Sequence, residues 1–281
     1  MQLEKFYIIT GNIYWSGGRI GTSKETVEIA ATTENPIIRH PITGLPYIPG
    51  SSLKGKIRSL LELSTEKERI ANLKQKIEEI KKEEPSGNDR KHKEWKEKLR
   101  RLENYLNSIK NGEPCGCGLE SCQICRAFGP HKNVEHKLGP SRLIFRDAKL
   151  ATKEDINGIE NLPEPKYTLE DIKKYSTERG LHYAEIKSEN IINRYTGRAS
   201  DPRQMERVID GSLFKMEVVV RVFEGDEGSG SKKPEDNPNV KILKKGIKLL
   251  EKDYLGGSGT RGYGKVKFYG MKIDGNPWEN F

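Results

Sequence analysis

The sequence predicts an α+β fold, a βαββαβ ferredoxin-like (RRM-like) core carrying three insertions. Three observations lead there. Residues 213–223 alternate, with Phe214, Met216, Val218, Val220 and Val222 on one face and Lys215, Glu217 and Arg221 on the other, the period of a half-buried strand. Two stretches, Leu53, Ile57, Leu60, Leu61 and Val240, Leu243, Ile247, Leu250, Tyr254, step by three and four, the period of a core-facing helix. With the polar segments set aside, the order is strand, helix, strand, strand, helix, strand.

In order, residues 3–10 read as the first strand, ending in a loop with Gly11, Gly17, Gly18 and Gly21. Residues 27–30 read as a short strand, and the proline-rich stretch 32–49 as an extended surface loop. Pro49-Gly50 is a turn signal, and Ser51 or Ser52 is a natural N-cap for the first core helix. Lys54 and Arg58, four apart, share one of its faces. The helix amino end, the two hydroxyls and Lys54, Lys56 and Arg58 together suit an anion such as a phosphate. The plainer alternative is an amphipathic helix with a solvated basic face.

Residues 64–111 change character. Ile70, Leu73, Ile77 and Ile80 mark one helix dense in Lys and Glu, and Trp95, Leu99, Leu102 and Leu106 mark a second. The break at Pro85 makes them a helical hairpin protruding from the main body, read as a solvated structural insertion, with a binding element as the alternative. Residues 141–150 read as a strand with Leu143 and Phe145 against Arg142, Ile144 and Arg146. Residues 151–185 read as irregular with short helices. Residues 185–210 hold Arg194, Arg198, Arg203 and Arg207 around a Thr-Gly turn, a basic hairpin. Residues 225–239, rich in Gly, Ser, Pro and Asp, read as a mobile connection, and 264–273 as the closing strand, broken at Gly270.

The 281 residues hold 50 Lys and Arg against 41 Asp and Glu, a net charge of +9 that favours a polyanionic partner. No apolar run approaches the roughly 18 residues of a membrane span, and Met1 is not followed by a secretory pattern. A soluble, cytoplasmic chain without membrane contact is the expectation.

Residues 255–265 contain a literal G-x-G-x-x-G at Gly257, Gly259 and Gly262. A dinucleotide site requires a strand before it and a helix after it. Here a helix precedes and a strand follows, which excludes that reading. The glycines let the backbone come close to a ligand, with Arg261 and Lys265 for a phosphate and Tyr263 to stack on a base. The alternative is a flexible connection.

All four cysteines, Cys115, Cys117, Cys122 and Cys125, fall within eleven residues. Four soft ligands in one loop suit a closed, structural Zn2+ site, with His131 and His136 as spare ligands and an iron–sulfur cluster as the alternative.

Together, Pro36-Ile-Ile-Arg-His-Pro-Ile-Thr-Gly-Leu-Pro-Tyr-Ile-Pro-Gly-Ser-Ser-Leu-Lys-Gly-Lys-Ile-Arg58, Arg142-Leu-Ile-Phe-Arg-Asp-Ala148 and Asp253-Tyr-Leu-Gly-Gly-Ser-Gly-Thr-Arg-Gly-Tyr-Gly-Lys-Val266 resemble the RAMP superfamily. Within it the chain resembles the repeated backbone subunit of Csm-type (type III-A) CRISPR effector complexes, over nearly the whole chain. The resemblance implies a single RAMP domain over 1–281, with a helical insertion at 64–111, a zinc loop at 112–138 and a thumb-like segment at 185–210. It implies a filament of copies stacked on crRNA, joined by other type III effector subunits. The 51–58 helix and the 256–265 loop would hold guide phosphates. Target single-stranded RNA would be cut at each thumb with Mg2+ or Mn2+.

This chain departs from the family pattern at the cleavage carboxylate. The family's aspartate position carries Glu34, a second acidic position carries His40, and a histidine of the first glycine loop has no counterpart, with Tyr14 and Trp15 nearby. The extra methylene of Glu34 moves its carboxylate by about 1.5 Å, a displacement that can cost ~10²-fold in rate. The alternatives are the same scaffold without nuclease activity, a stand-alone CRISPR RNA-processing endoribonuclease with His40 as base, and a zinc-stabilised protein-interaction module.

Overall fold

The computed structural model describes residues 2–21, 36–86, 90–132, 134, 136–179, 183–231, 233–279 and 281. Glu34 and the short strand expected at 27–30 lie outside the described residues. The chain divides into two compact units. One holds residues 1–5, 57–143 and 221–246, and the other holds 6–56, 144–220 and 247–281.

In the second unit the strands are β1 (Leu3–Ser16), β2 (Tyr47–Ile48), β3 (Leu143–Phe145), β4 (Ala148–Leu150), β5 (Glu185–Ile192), β6 (Ala199–Arg207), β7 (Ser212–Phe223), β8 (Lys265–Ile273) and β9 (Asn276–Pro277), some running past its edges. The main sheet is ordered β2-β4-β7-β1-β8-β9, with β3 pairing β7. Its centre, β4-β7-β1-β8, is the strand order of a ferredoxin-like βαββαβ unit. β1 passes the expected end at residue 10 because Gly11 sits inside the strand at a register shift between Thr10 and Asn12. A Cβ there would stand 2.2 Å from Met271 Sδ. The expected strand over 141–150 is two short ones, β3 and β4. β7 keeps its alternation only in part: Phe214, Met216, Val218, Val220 and Val222 are buried and Lys215 is exposed, but Leu213, Val219 and Phe223 on the other face are buried too. Trp15 and Phe214 meet across the core at 5.7 Å between ring centroids. The proline-rich stretch is not all surface, since Ile37 and Ile48 are buried, Ile37 bridging Gly21 and Arg39 bridging Pro46. Among the described residues of 151–185 there is one helix, α5 (Leu169–Arg179).

α1 (Gly50–Ser64) buries Leu53, Ile57 and Leu61, and α6 (Pro238–Glu251) buries Val240, Leu243, Ile247 and Leu250, the stripes that the periodicity marks. Tyr254 lies past the end of α6. The N-cap expectation fails: α1 starts at Gly50, so Ser51 and Ser52 fall within its first turn. The Asp147 carboxylate reaches in from β3–β4 to accept the Gly50 N–H at 2.8 Å. A side chain 97 residues away in sequence thus replaces the local hydroxyl.

In the first unit, α2 (Glu66–Lys82) and α3 (Arg90–Lys110) form the helical hairpin and zip together through Leu73, Ile77, Ile80, Leu102 and Ile109. A short α4 (Gln123–Phe128) follows the cysteine loop. The stretch expected to be a mobile connection carries a buried ion pair instead. Arg142, fully buried rather than on a solvated strand face, donates to both carboxylate oxygens of Asp226 at 2.6 and 2.7 Å. Its Nη1 donates to the Leu138 and Pro140 carbonyls. The Gly- and Pro-rich composition around Asp226 reflects tight turns that aim its carboxylate inward, with the Phe223 N–H also donating to it.

Candidate nucleic-acid interface and metal centre

In the second unit the two glycine loops face each other through their backbones. Gly257 N–H donates to the Arg19 carbonyl at 2.8 Å, and Gly264 N–H to the Gly17 carbonyl at 3.0 Å. Two glycines are required by this approach. A Cβ on Gly256 (φ +87°) would lie 2.1 Å from the Arg19 carbonyl oxygen, and one on Gly259 would strike the Tyr254 ring at 2.1 Å. The loop is a packed corner, not a flexible connection. It follows α6 and precedes β8, the reverse of a dinucleotide-binding turn.

Next to this corner stands the 185–207 hairpin. β5 and β6 pair antiparallel with a register shift between Glu189 and Ile191, and the turn carries Gly197 at φ +66°. At its base the Arg207 guanidinium pairs with Glu185, and Val208 N–H donates to the Gly18 carbonyl at 2.8 Å. Glu206 accepts from Ile37 N–H and from Arg39, both at 3.1 Å, tying the hairpin to the 36–46 segment. Further out, the Glu189 carboxylate accepts from Tyr263 Oη at 2.6 Å and from Arg261 at 2.5 Å.

The candidate RNA-binding residues separate accordingly. Arg194 and Arg198 are exposed around the hairpin turn, Arg203 is exposed and paired with Asp201 at 2.8 Å, and Lys265 is exposed at the start of β8. Arg261 keeps 58% of its side chain exposed while paired with Glu189. Lys56 pairs with Asp253 at 3.1 Å and lies 3.9 Å from the centre of the Tyr254 ring. Lys54 is half-buried in the same turn of α1. Ser51 is exposed and Ser52 half-buried.

Two residues depart from the expectation. Tyr263 is buried, its ring covered by Lys187 at 4.5 Å and Arg207 at 5.6 Å, so no base can stack on it. Burial, and then the Glu189 carboxylate, push its phenol up to about 12, so it stays protonated and donates. That bond, followed by Arg261, holds the Glu189 carboxyl below its ordinary value against the opposing effect of burial. Arg58 does not share a solvated face with Lys54. It belongs to the first unit, where it pairs with Glu62 at 2.8 Å and donates to the Cys115 carbonyl at 2.5 Å.

Sequence reasoning passed over Tyr195 at the hairpin turn, whose side chain is fully exposed next to exposed Ile191 and Ile192. A bare tyrosine between Arg194 and Arg198 offers a ring face with cations at both sides, the make-up of a stacking platform. Its position at the turn, not its residue type, was the available signal.

In the first unit the four Sγ atoms lie within 4.8 Å of one another. Cys115 stands 3.8, 3.6 and 3.4 Å from Cys117, Cys122 and Cys125, and Cys117 stands 3.7 Å from Cys125. Four sulfurs about 2.3 Å from one ion at tetrahedral angles are about 3.8 Å apart, whereas a disulfide needs about 2.05 Å. The donor set therefore fits a tetrathiolate ion. Tyr105 Oη donates to Cys115 Sγ at 2.8 Å and accepts from Arg69 at 2.8 Å, and the Cys115 N–H donates to Glu62 at 2.9 Å. Helices α1, α2 and α3 all hold this loop, and Arg69 stands where it offsets thiolate charge. Neither spare histidine joins the group of sulfurs. His136 Nδ1 accepts the Leu138 N–H at 3.2 Å, and His131 N–H binds the Cys115 carbonyl at 2.8 Å through its backbone. Among the described residues the cysteines are the one such group of three or more metal-ligating side chains.

Residues 12–267 match the RAMP superfamily. The chain belongs to the RAMP superfamily. It is 37% identical over 293 aligned residues to the CRISPR system Cms endoribonuclease Csm3 of Methanothermobacter thermautotrophicus, an alignment covering 100% of this chain and 91% of that protein. The protein of the same name from Methanocaldococcus jannaschii is 37% identical, covering 95% and 79%. That from Streptococcus thermophilus is 34% identical, covering 92% and 84%. A chain of the Csm3-Csm4 subcomplex in the type III-A CRISPR-Cas interference complex is 28% identical, covering 97% and 80% with a TM-score of 0.46. No helix among the described residues is long and apolar enough to cross a membrane.

Within this RAMP chain, His40 Nδ1 accepts the Ile42 and Thr43 N–H groups, both at 3.3 Å, and so closes the 41–43 turn. That nitrogen is committed to the backbone.

Proposed function

We propose that this chain is a backbone subunit of a type III CRISPR ribonucleoprotein. It binds crRNA in a filament with its own copies and other type III effector subunits, and it cleaves complementary single-stranded target RNA. One observation carries the reading: a single compact unit joins two interlocked glycine loops, the basic amino half of α1 and a basic hairpin with an exposed aromatic turn. The relatives named as endoribonucleases over the full length of the chain support the nuclease part. Lys54, Lys56, Arg261 and Lys265 would lie along guide phosphates, and Arg194, Tyr195, Arg198 and Arg203 at the interrupted guide–target duplex. Arg58 is assigned to the metal loop instead.

The cleavage carboxylate is Glu34. It takes the proton of a target 2′-hydroxyl, the freed oxygen attacks the adjacent phosphorus, and the 5′-oxygen leaves with a proton from water. The products are a 2′,3′-cyclic phosphate and a 5′-hydroxyl. A Mg2+ or Mn2+ ion would supply charge neutralisation on the phosphate, with RNA oxygens and water completing its shell. The four cysteines are the wrong donors for that ion and would hold a structural Zn2+.

The test is cleavage of guide-complementary RNA by the assembled complex, with Mg2+ and with EDTA. Evenly spaced cuts, abolished by EDTA and slowed at least ~10²-fold in Glu34→Ala, are expected. Tight guided binding with no cuts would make the chain a non-catalytic scaffold. Wild-type cutting by Glu34→Ala would remove Glu34 from the mechanism.

A second expected result concerns Arg261. Its partner Glu189 competes with any phosphate placed there. Glu189→Gln should tighten RNA binding a few-fold and steepen the dependence of log affinity on log salt by about 0.7, the contribution of one more single-strand phosphate contact. An unchanged slope would show that Arg261 does not touch RNA.

A further inference from the structure

We propose a second RNA contact, on the helical insertion: a cationic groove between α2–α3 and the cysteine loop that seats one nucleotide of single-stranded RNA. It goes beyond the reading above, which places RNA on the other compact unit. The groove encloses about 370 Å3, within the range of small-ligand sites. Lys98, Arg101, Tyr105 and Ser108 step by three, four and three along α3, which puts them on one stripe facing it. Lys76 of α2 and Lys132 of the loop complete the rim.

Charge and polarity together define the ligand. Lys76, Lys98, Arg101 and Lys132 are all exposed at the rim. The single acidic lining residue, Glu113, pairs with Lys132 at 2.8 Å, and on the rim Lys76 pairs with Glu79 at 2.9 Å. α3 as a whole carries eight Lys or Arg against three Glu. The floor is apolar, made by Ile80, Leu102, Leu119, Pro114 and Val134. A bare phosphate would leave that floor empty, and an aliphatic ligand would meet a charged rim. A nucleotide matches both, with its base against the floor and its phosphates on the rim, and every base has a face to offer.

The experiment compares two charge-reversal variants of the full chain on the same helix. Lys98→Glu/Arg101→Glu alters the groove. Lys91→Glu/Lys93→Glu makes the same change of charge on exposed residues outside it. The probe is a fluorescein-labelled oligouridylate of about 15 nucleotides, long enough to cover one binding module. The groove variant should lose roughly tenfold in affinity and flatten the salt slope by about 1.4, two single-strand phosphate contacts. The control should lose clearly less. In the wild-type chain, 4-thiouridine in the probe should crosslink to peptides within 98–108 or 113–134, a measurement that needs no variant to fold.

Equal losses in the two variants, or crosslinks confined to the other unit, would overturn the proposal. So would displacement of nothing by RNA at the groove while an oligoglutamate peptide binds there, since the occupant would then be an acidic protein segment. Lys54→Glu/Arg261→Glu separates the two readings: if it alone weakens binding, the groove fails and the interface of the other unit stands. If only the groove variant weakens binding, the main interface fails instead.

Discussion

Cys115→Ser is expected to release the metal and unfold the 112–138 loop with it. Apparent binding free energies of structural zinc in small tetrahedral sites are about 10–16 kcal/mol, and that energy is folding energy. Cys115 is the central ligand here, since its sulfur meets the other three and its backbone and side chain hold contacts to Arg58, Glu62 and Tyr105. The wild-type chain should carry one Zn2+ by elemental analysis, and Co2+ in its place should give the thiolate-to-metal absorption of a tetrahedral S4 site. Cys115→Ser should lose both and melt at a lower temperature in a broadened transition. Tyr105→Phe removes one hydrogen bond to the sulfur and leaves the ligands intact, so it should keep the metal with affinity reduced about 10–100-fold. A chain that binds no metal and melts unchanged on chelation would end this account. A brown, iron-containing chain would assign the site to an iron–sulfur cluster.

Asp226→Ala is expected to cost about 3–5 kcal/mol, because it leaves the Arg142 guanidinium charged, buried and without its carboxylate. At about 2–4 °C per kcal/mol for a chain of this class, the melting temperature should fall by roughly 6–20 °C. Replacing both partners by apolar residues of similar volume should cost less than the single change, since no orphan charge remains. The pair also sets an acid limit. Burial alone would raise the Asp226 carboxyl, but the Arg142 guanidinium, the Phe223 N–H and the more distant Arg126 outweigh it and hold it below its ordinary value. A depressed folded value means that this stability is complete above the unfolded carboxylate value, about 3.9, and is lost as pH falls below it. Urea midpoints measured from pH 6 to pH 2.5 should therefore fall more steeply for wild type than for Asp226→Ala. Parallel curves, or a variant that melts with wild type, would show that the pair is not a net support.

What the sequence by itself determined is whatever repeats with the period of a backbone. The strand of 212–223, the buried stripes of α1 and α6, the break between α2 and α3 at Pro85 and the antiparallel hairpin at 185–207 were legible, because 2.0- and 3.6-residue repeats follow from local geometry. The convergence of four thiols was legible too, since ligands within one short loop have little freedom to do otherwise. The sequence motifs also marked the family. Only the tertiary structure decided which partner each polar side chain takes. Asp147 rather than Ser51 or Ser52 meets the start of α1. Tyr263 turns inward to Glu189, Arg58 turns to the cysteine loop, and Arg142 closes on Asp226. These partners stand 97, 74, 57 and 84 residues apart. A long side chain can reach several faces from one backbone position. Which one it uses depends on desolvation and on a carboxylate or carbonyl brought there by distant chain, and no local spacing encodes that.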